Sequence, residues 1–183
     1  HFMLKEIHEQ PQAIRNTVTP RIKDGLPDFS QEKISDEMLS GYRRIHIVAC
    51  GTAMHAGLVG KSLIEKLARV PVEVDVASEF RYRDPILSKE DLVLVVSQSG
   101  ETADTLAALR LAGERGCDTM AIVNVVGSSI SREAKHVIYT WAGPEIAVAT
   151  TKAYSTQLAI TYLIALYLGR ECGTLTDEEN AAY

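Results

Sequence analysis

Apolar residues in this chain fall into short unbroken runs that alternate with stretches where they recur every three or four positions. Arg44-Ile45-His46-Ile47-Val48-Ala49-Cys50 reads as a first core strand. Met54, Leu58, Leu63, Ile64 and Leu67 then follow helical spacing through about Arg69. Pro71 blocks more helix, and Val72-Glu73-Val74-Asp75-Val76 alternates like an edge strand. Glu79 to Asp84 is charged and aromatic, and Pro85 marks a turn. Asp91 to Val96 is an uninterrupted strand, central by its composition, and Ala103 to Gly113 or Gly116 a helix. Thr119–Val125 is a strand, a short helix near 130–134 is capped by Gly127-Ser128-Ser129, and Val137–Thr140 is the last strand. A long helix is predicted over Tyr154–Leu168, stopping at Gly169.

Strands alternate with helices five times, and most of the strands are apolar on both faces. That pattern predicts an α/β fold, a three-layer sandwich around a five-stranded parallel sheet. Around it, residues 1–40 read as an N-terminal helical arm, with short helices near 3–9, 12–18 and 30–39, the last capped by Ser30. Residues 41–170 form the main domain and 171–183 a polar tail. The run Leu158–Leu168 is shorter than the roughly 20 residues a bilayer span needs, so it reads as a core or interface helix.

The chemistry concentrates at one junction. Ser97-Gln98-Ser99-Gly100-Glu101-Thr102 lies where the central strand hands over to its helix. The unpaired N–H groups of a helix's first turn point to such a place and suit an anion. The run holds no Lys or Arg, which points to a phosphate gripped by neutral donors. Simple capping needs one side-chain oxygen, whereas four polar side chains stand here, and Gln98 is a poor cap. Glu101 would repel a phosphate, so it is expected to turn away or to bond backbone groups. In open parallel sheets ligands bind beyond the carboxyl ends of the strands. Cys50-Gly51-Thr52 and Val148-Ala149-Thr150-Thr151-Lys152 reach the same edge, so three loops are expected to converge. Lys152 is a candidate for contact with a sugar or phosphate, or for a purely structural role.

Composition narrows the options. The formal charge of -5 and scattered basic residues argue against nucleic acid. The three cysteines have neither disulfide-scaffold nor zinc spacing, which fits a reducing compartment. No His, Asp and Glu spacing suggests a metal, and His46 and His55 read as structural. The dinucleotide and Walker glycine patterns are both missing, so no cofactor is expected. The chain opens with His1-Phe2-Met3, read as a segment of a longer polypeptide.

Cys50-Gly51-Thr52, Ala77-Ser78-Glu79-Phe80-Arg81-Tyr82-Arg83, Ser97 through Thr105 and Thr150-Thr151-Lys152 together resemble the glutamine–fructose-6-phosphate aminotransferase family. The resemblance is to the first of its two sugar isomerase (SIS) domains, and it extends into the arm at Lys5-Glu6-Ile7 and Glu9-Gln10-Pro11. It implies a flavodoxin-like SIS fold and a bound sugar phosphate, fructose 6-phosphate or glucosamine 6-phosphate. By the same resemblance Ser97, Gln98, Ser99 and Thr102 would grip the phosphate, with Thr52, Val148 and Thr150 near the sugar. Ala53 departs from the family's usual serine and removes one hydroxyl. The family's partners for this unit are a glutaminase domain and a second SIS domain, in a cytoplasmic homodimer. The family's Schiff-base lysine, proton-moving glutamate and ring-opening histidine match nothing here, so no catalytic residue is assigned and the isolated unit is expected to bind without turnover. A freestanding sugar-phosphate isomerase and a sugar-phosphate sensor are the competing readings.

Overall fold

The unbroken apolar runs become parallel strands in the computed structural model, which describes residues 1–35, 38–39 and 41–183. In chain order the elements are α1 (Phe2–Val18), a two-stranded hairpin of β1 (Ile22–Lys23) and β2 (Leu26–Pro27), β3 (Arg44–Ala49), α2 (Gly51–Leu67) and β4 (Val72–Val76). There follow α3 (Ala77–Tyr82), β5 (Asp91–Ser97), α4 (Ala103–Glu114), β6 (Asp118–Val123), α5 (Ser129–Glu133), β7 (His136–Tyr139), α6 (Lys152–Glu171) and α7 (Asp177–Ala181). The main sheet has five strands in the order β4-β3-β5-β6-β7. All neighbours pair in parallel, with Ile47 opposite Leu94 and Val95 opposite Ala121. After β3 the chain steps outward to β4, then returns to the other side of β3 as β5, so the strand order reverses between β3 and β5.

Each sheet face has its own core. Ile45, Ile47, Leu92, Leu94, Val96, Met120 and Ile122 pack with Ile64 of α2 and Ile160, Ile164 and Leu168 of α6. Val48, Val93, Val95, Ala121 and Val123 pack on the opposite face with Phe80 of α3, Ile130 of α5 and Ala108, Leu109 and Ala112 of α4. Every residue of β5 is buried, which explains why its sequence is apolar without alternation. His46 sits inside β3, and burial pushes its ring below the ordinary imidazole range against the pull of Glu73 and Asp91. This is a structural histidine, as expected.

Several local expectations are corrected. The two short helices of the arm are one, continuous through Pro11. Proline cannot supply the N–H that the Ile7 carbonyl would receive; the Gln10 carboxamide donates to that carbonyl at 3.2 Å instead. The helix is also no loose arm, since Ala13 and Thr17 are buried. The helix expected over 30–39 starts instead as a 3-10 turn, Ser30–Glu32, closed by Lys33 in the left-handed region; residues 38–39 are helical, and residues 36, 37 and 40 lie outside the described residues. The Glu79–Asp84 stretch is largely the helix α3, whose Phe80 is fully buried. Gly169 does not end the long helix. It lies within α6, where an added Cβ would stand 2.7 Å from Leu175 and 3.0 Å from the Leu67 carbonyl, so the glycine serves close packing. The tail folds back: Thr176 and Glu179 form a capping box on α7, and the buried Asn180 donates to the Leu166 carbonyl at 2.7 Å. Among the described residues no helix is long and apolar enough to cross a membrane.

Candidate functional site

In a parallel sheet of this kind the helices that follow β3 and β5 begin at the carboxyl edge, and α6 starts there as well. A cleft of about 260 Å³ opens at this point. Cys50, Thr52 and Ala53 line it from the start of α2, and Val96, Ser97, Gln98, Ser99 and Thr102 from the turn into α4. Glu145, Ala147, Val148, Thr150 and Gln157 close the α6 side. Seven of the eight sequence-predicted site residues are thus brought together: Thr52, Ser97, Gln98, Ser99, Thr102, Val148 and Thr150.

Lys152 is the exception. Its side chain is buried, and its Nζ donates to Glu9 of α1 at 2.7 Å. It does not line the cleft, so its place in the structure is that of a tether between α1 and α6. The ammonium is also the first cause holding the Glu9 carboxyl below its usual range. Among the described residues no Lys or Arg lines the cleft.

The turn after β5 is built from its own side chains. The Gly100 N–H donates to Ser97 Oγ at 3.0 Å, and the Glu101 N–H donates to Ser99 Oγ at 3.2 Å. Ser97 Oγ and Thr102 Oγ1 are 3.0 Å apart and share one hydrogen. Both serine oxygens therefore act as acceptors toward the backbone. Of the three hydroxyl hydrogens on Ser97, Ser99 and Thr102, one is spent within the protein and two remain to donate outward. Gln98 adds a carboxamide with no protein partner among the described residues. Gly100 stands at φ +67°, a conformation that glycine adopts without strain.

Charge decides which end of the cleft suits an anion. Among the described residues Glu145 is the one carboxylate on its wall. It accepts from Thr150 Oγ1 at 2.7 Å and from the N–H groups of Thr151 at 2.9 Å and Ala153 at 3.2 Å. The positive end of α6 is thus already filled by a side chain. The starts of α2 and α4 carry no side-chain cap, so their first-turn N–H groups stay available. An anion is favoured on the α2–α4 side and repelled from the α6 side. Glu101 does turn away as expected: its Oε1 accepts from the Ser129 N–H at 2.8 Å. Hydrogen bonding from Ser129, side chain first and backbone second, holds its carboxyl below the usual range.

Sequence reasoning missed Glu145 and Gln157. Glu145 lies in a polar loop with no spacing motif, and Gln157 sits in a helix read as apolar. Gln157 is 4% exposed, yet its carboxamide has no protein partner among the described residues. The placement of α6 against the strand ends, not a local signal, brings it to the cleft. Cys50 borders the cleft half-buried, its Sγ 3.9 Å from Thr105 Oγ1, with no base beside it. Among the described residues no cluster of His, Cys, Asp and Glu could hold a metal ion.

The SIS domain family matches residues 38–167, from ahead of β3 to within α6. Glutamine–fructose-6-phosphate aminotransferase of Clostridium tetani is 63% identical over 180 residues, covering 98% of this chain and 30% of that protein. The C-terminal domain of the corresponding enzyme from Francisella tularensis superposes with a TM-score of 0.96 at 43% identity, covering all of this chain and 52% of that domain. A putative phosphosugar isomerase from Clostridium difficile superposes at 0.83 with 23% identity, a likeness of fold alone. The chain spans about 30% of the length of the curated relatives it matches. With more than half of its residues matched, sheet and cleft included, the chain belongs to the SIS domain family.

Proposed function

We propose that this chain is the sugar-phosphate-gripping unit of a glutamine–fructose-6-phosphate aminotransferase. The phosphate of fructose 6-phosphate or glucosamine 6-phosphate sits at the turn between β5 and α4. Ser99 and one of the bonded pair Ser97 and Thr102 donate their hydroxyls, Gln98 its carboxamide, and the first turns of α2 and α4 their N–H groups. Thr52 stands on the α2 side. The sugar extends toward α6, where Val148, Thr150 and Glu145 meet it; a neutral polyol tolerates the Glu145 carboxylate that a phosphate would not. Ala53 offers a methyl where the family has a hydroxyl, and the α2 N–H groups stand in for it. One observation carries this reading: unspent hydroxyl hydrogens and uncapped helix starts share one side of the cleft, and its one carboxylate lies on the other.

Among the described residues the cleft holds no poised base. Proton transfer between sugar carbons needs a base placed over the carbon, whereas Glu145 is held against the start of α6 by the hydroxyls of Thr150 and Thr151 and by two N–H groups. The chain alone therefore binds without turnover. In the whole enzyme the glutaminase domain supplies ammonia, the second SIS domain supplies the isomerase groups, and the unit works in a cytoplasmic homodimer. Calorimetric titration with fructose 6-phosphate, fructose and inorganic phosphate tests this. Fructose 6-phosphate is expected to bind at least about tenfold more tightly than fructose, since two or more charge-assisted hydrogen bonds separate them. Equal binding of the two sugars contradicts the reading. Conversion of fructose 6-phosphate by the chain alone would favour a freestanding isomerase.

A further inference from the structure

Val148 and Thr150 reach the cleft on a stretch, residues 142–150, that forms neither helix nor strand. Backbone without a ladder must find other partners for its N–H groups. Two carboxylates provide them here. Glu145 binds the segment's end to the start of α6. Glu6 of α1 accepts the N–H of Ile146 at 2.6 Å and that of Ala147 at 3.3 Å. Glu6 is 3% exposed and forms no ion pair among the described residues. The N–H groups of Ile146 and Ala147 are its hydrogen-bond donors among the described residues.

The same helix grips the cleft's α6 wall twice more. Glu9 holds Lys152 at 2.7 Å, and Gln10 accepts from Ser155 Oγ at 2.5 Å. No residue of α1 lines the cleft itself. Ala147, which does line it, is pinned from behind. Docking a helix on α6 needs only apolar contact, and Ala13 supplies some. A carboxylate buried against an otherwise unpaired loop does something different: it selects one loop shape.

We propose that Glu6 is a positioning residue for the sugar, fixing Ile146 and Ala147 so that Val148 and Thr150 are held at the ligand, and that α1 is thereby part of the binding site. This rests on the sugar-phosphate reading above. Because Glu6 acts on the sugar side only, its loss separates two ligands that share a phosphate.

The test compares fructose 6-phosphate with inorganic phosphate on the 183-residue chain and its Glu6→Ala variant, which takes away the acceptor of both N–H groups. The variant is expected to bind fructose 6-phosphate about tenfold more weakly, while inorganic phosphate changes by less than about twofold. Unchanged affinity for fructose 6-phosphate overturns the proposal, as does an equal loss for both ligands. Failure of the unaltered chain to bind fructose 6-phosphate condemns the functional reading instead. Should Glu6→Ala not fold, residue-resolved NMR of the unaltered chain decides. Saturating fructose 6-phosphate should slow hydrogen exchange at the Ile146 and Ala147 amides, and inorganic phosphate should not. Amides equally unaffected by both ligands overturn it.

Discussion

Gly100→Ala is expected to cost about 2–4 kcal/mol of stability and to abolish measurable sugar-phosphate binding. Two effects add. Gly100 stands at φ +67°, where a side chain is strained by about 1–2 kcal/mol. An added Cβ would also fall 2.0 Å from Ser128 Oγ and 2.6 Å from Ser128 Cβ. Ser128 is buried at the start of α5, and the Gly100 carbonyl accepts the Ile130 N–H at 3.0 Å. Neither side can give easily. The turn must then move, and with it the Gly100 N–H that orders Ser97 Oγ. Denaturant unfolding measures the first loss and calorimetric titration the second. Replacing Ser128 by glycine in the same chain removes the clash but not the φ strain, so it should restore stability in part. A Gly100→Ala chain that binds and unfolds like the original would show that the turn has freedom the structure denies it.

Arg21→Met is expected to destabilise the chain by about 3–5 kcal/mol while leaving the cleft's own residues in place. Arg21 is 1% exposed. Its Nε donates to Glu32 at 2.8 Å, Nη1 to the Thr17 carbonyl at 2.6 Å and Nη2 to the Tyr139 carbonyl at 2.7 Å. One side chain therefore ties the end of α1 and the 3-10 turn at Ser30–Glu32 to the end of β7. Burial pulls the guanidinium below its usual range, and Glu32 opposes that pull. Removing it strands a largely buried carboxylate and takes a donor from two carbonyls. The Arg21→Met, Glu32→Met pair should recover much of the loss, because the stranded charge disappears, but not all, since Thr17 and Tyr139 stay short of a donor. Thermal or denaturant unfolding of the three variants reads this directly. A loss under about 1 kcal/mol for Arg21→Met would mean that Glu32 finds water or another partner.

These two residues mark where sequence reading works and where it stops. The turn at Gly100 was legible because everything that defines it is local: an unbroken apolar run, a polar run, then a helix. The sheet was legible for the same reason, since strands buried on both faces announce themselves. Arg21 was not, because its partners Glu32 and Tyr139 are joined to it only by the fold. Lys152 was read toward the ligand because its neighbours in sequence are ligand-facing, whereas its ion partner lies 143 residues away on α1. Glu145 and Gln157 share that difficulty. Pro11 and Gly169 misled in another way. Each is a helix breaker by propensity, and each is overruled by a particular contact: the Gln10 carboxamide in one case, the close approach of Leu175 in the other.

A phosphate is held by neutral hydroxyls and helix N–H groups where, among the described residues, no Lys or Arg lines the cleft. Titration of the Ser97→Ala, Ser99→Ala double variant with fructose 6-phosphate, followed by residue-resolved NMR, examines that directly. One of the two outward hydroxyl hydrogens is removed, the Thr102 hydroxyl keeping the other, so affinity should fall at least about tenfold, with the amide spectrum outside the turn unchanged. Affinity equal to that of the unaltered chain would place the phosphate elsewhere.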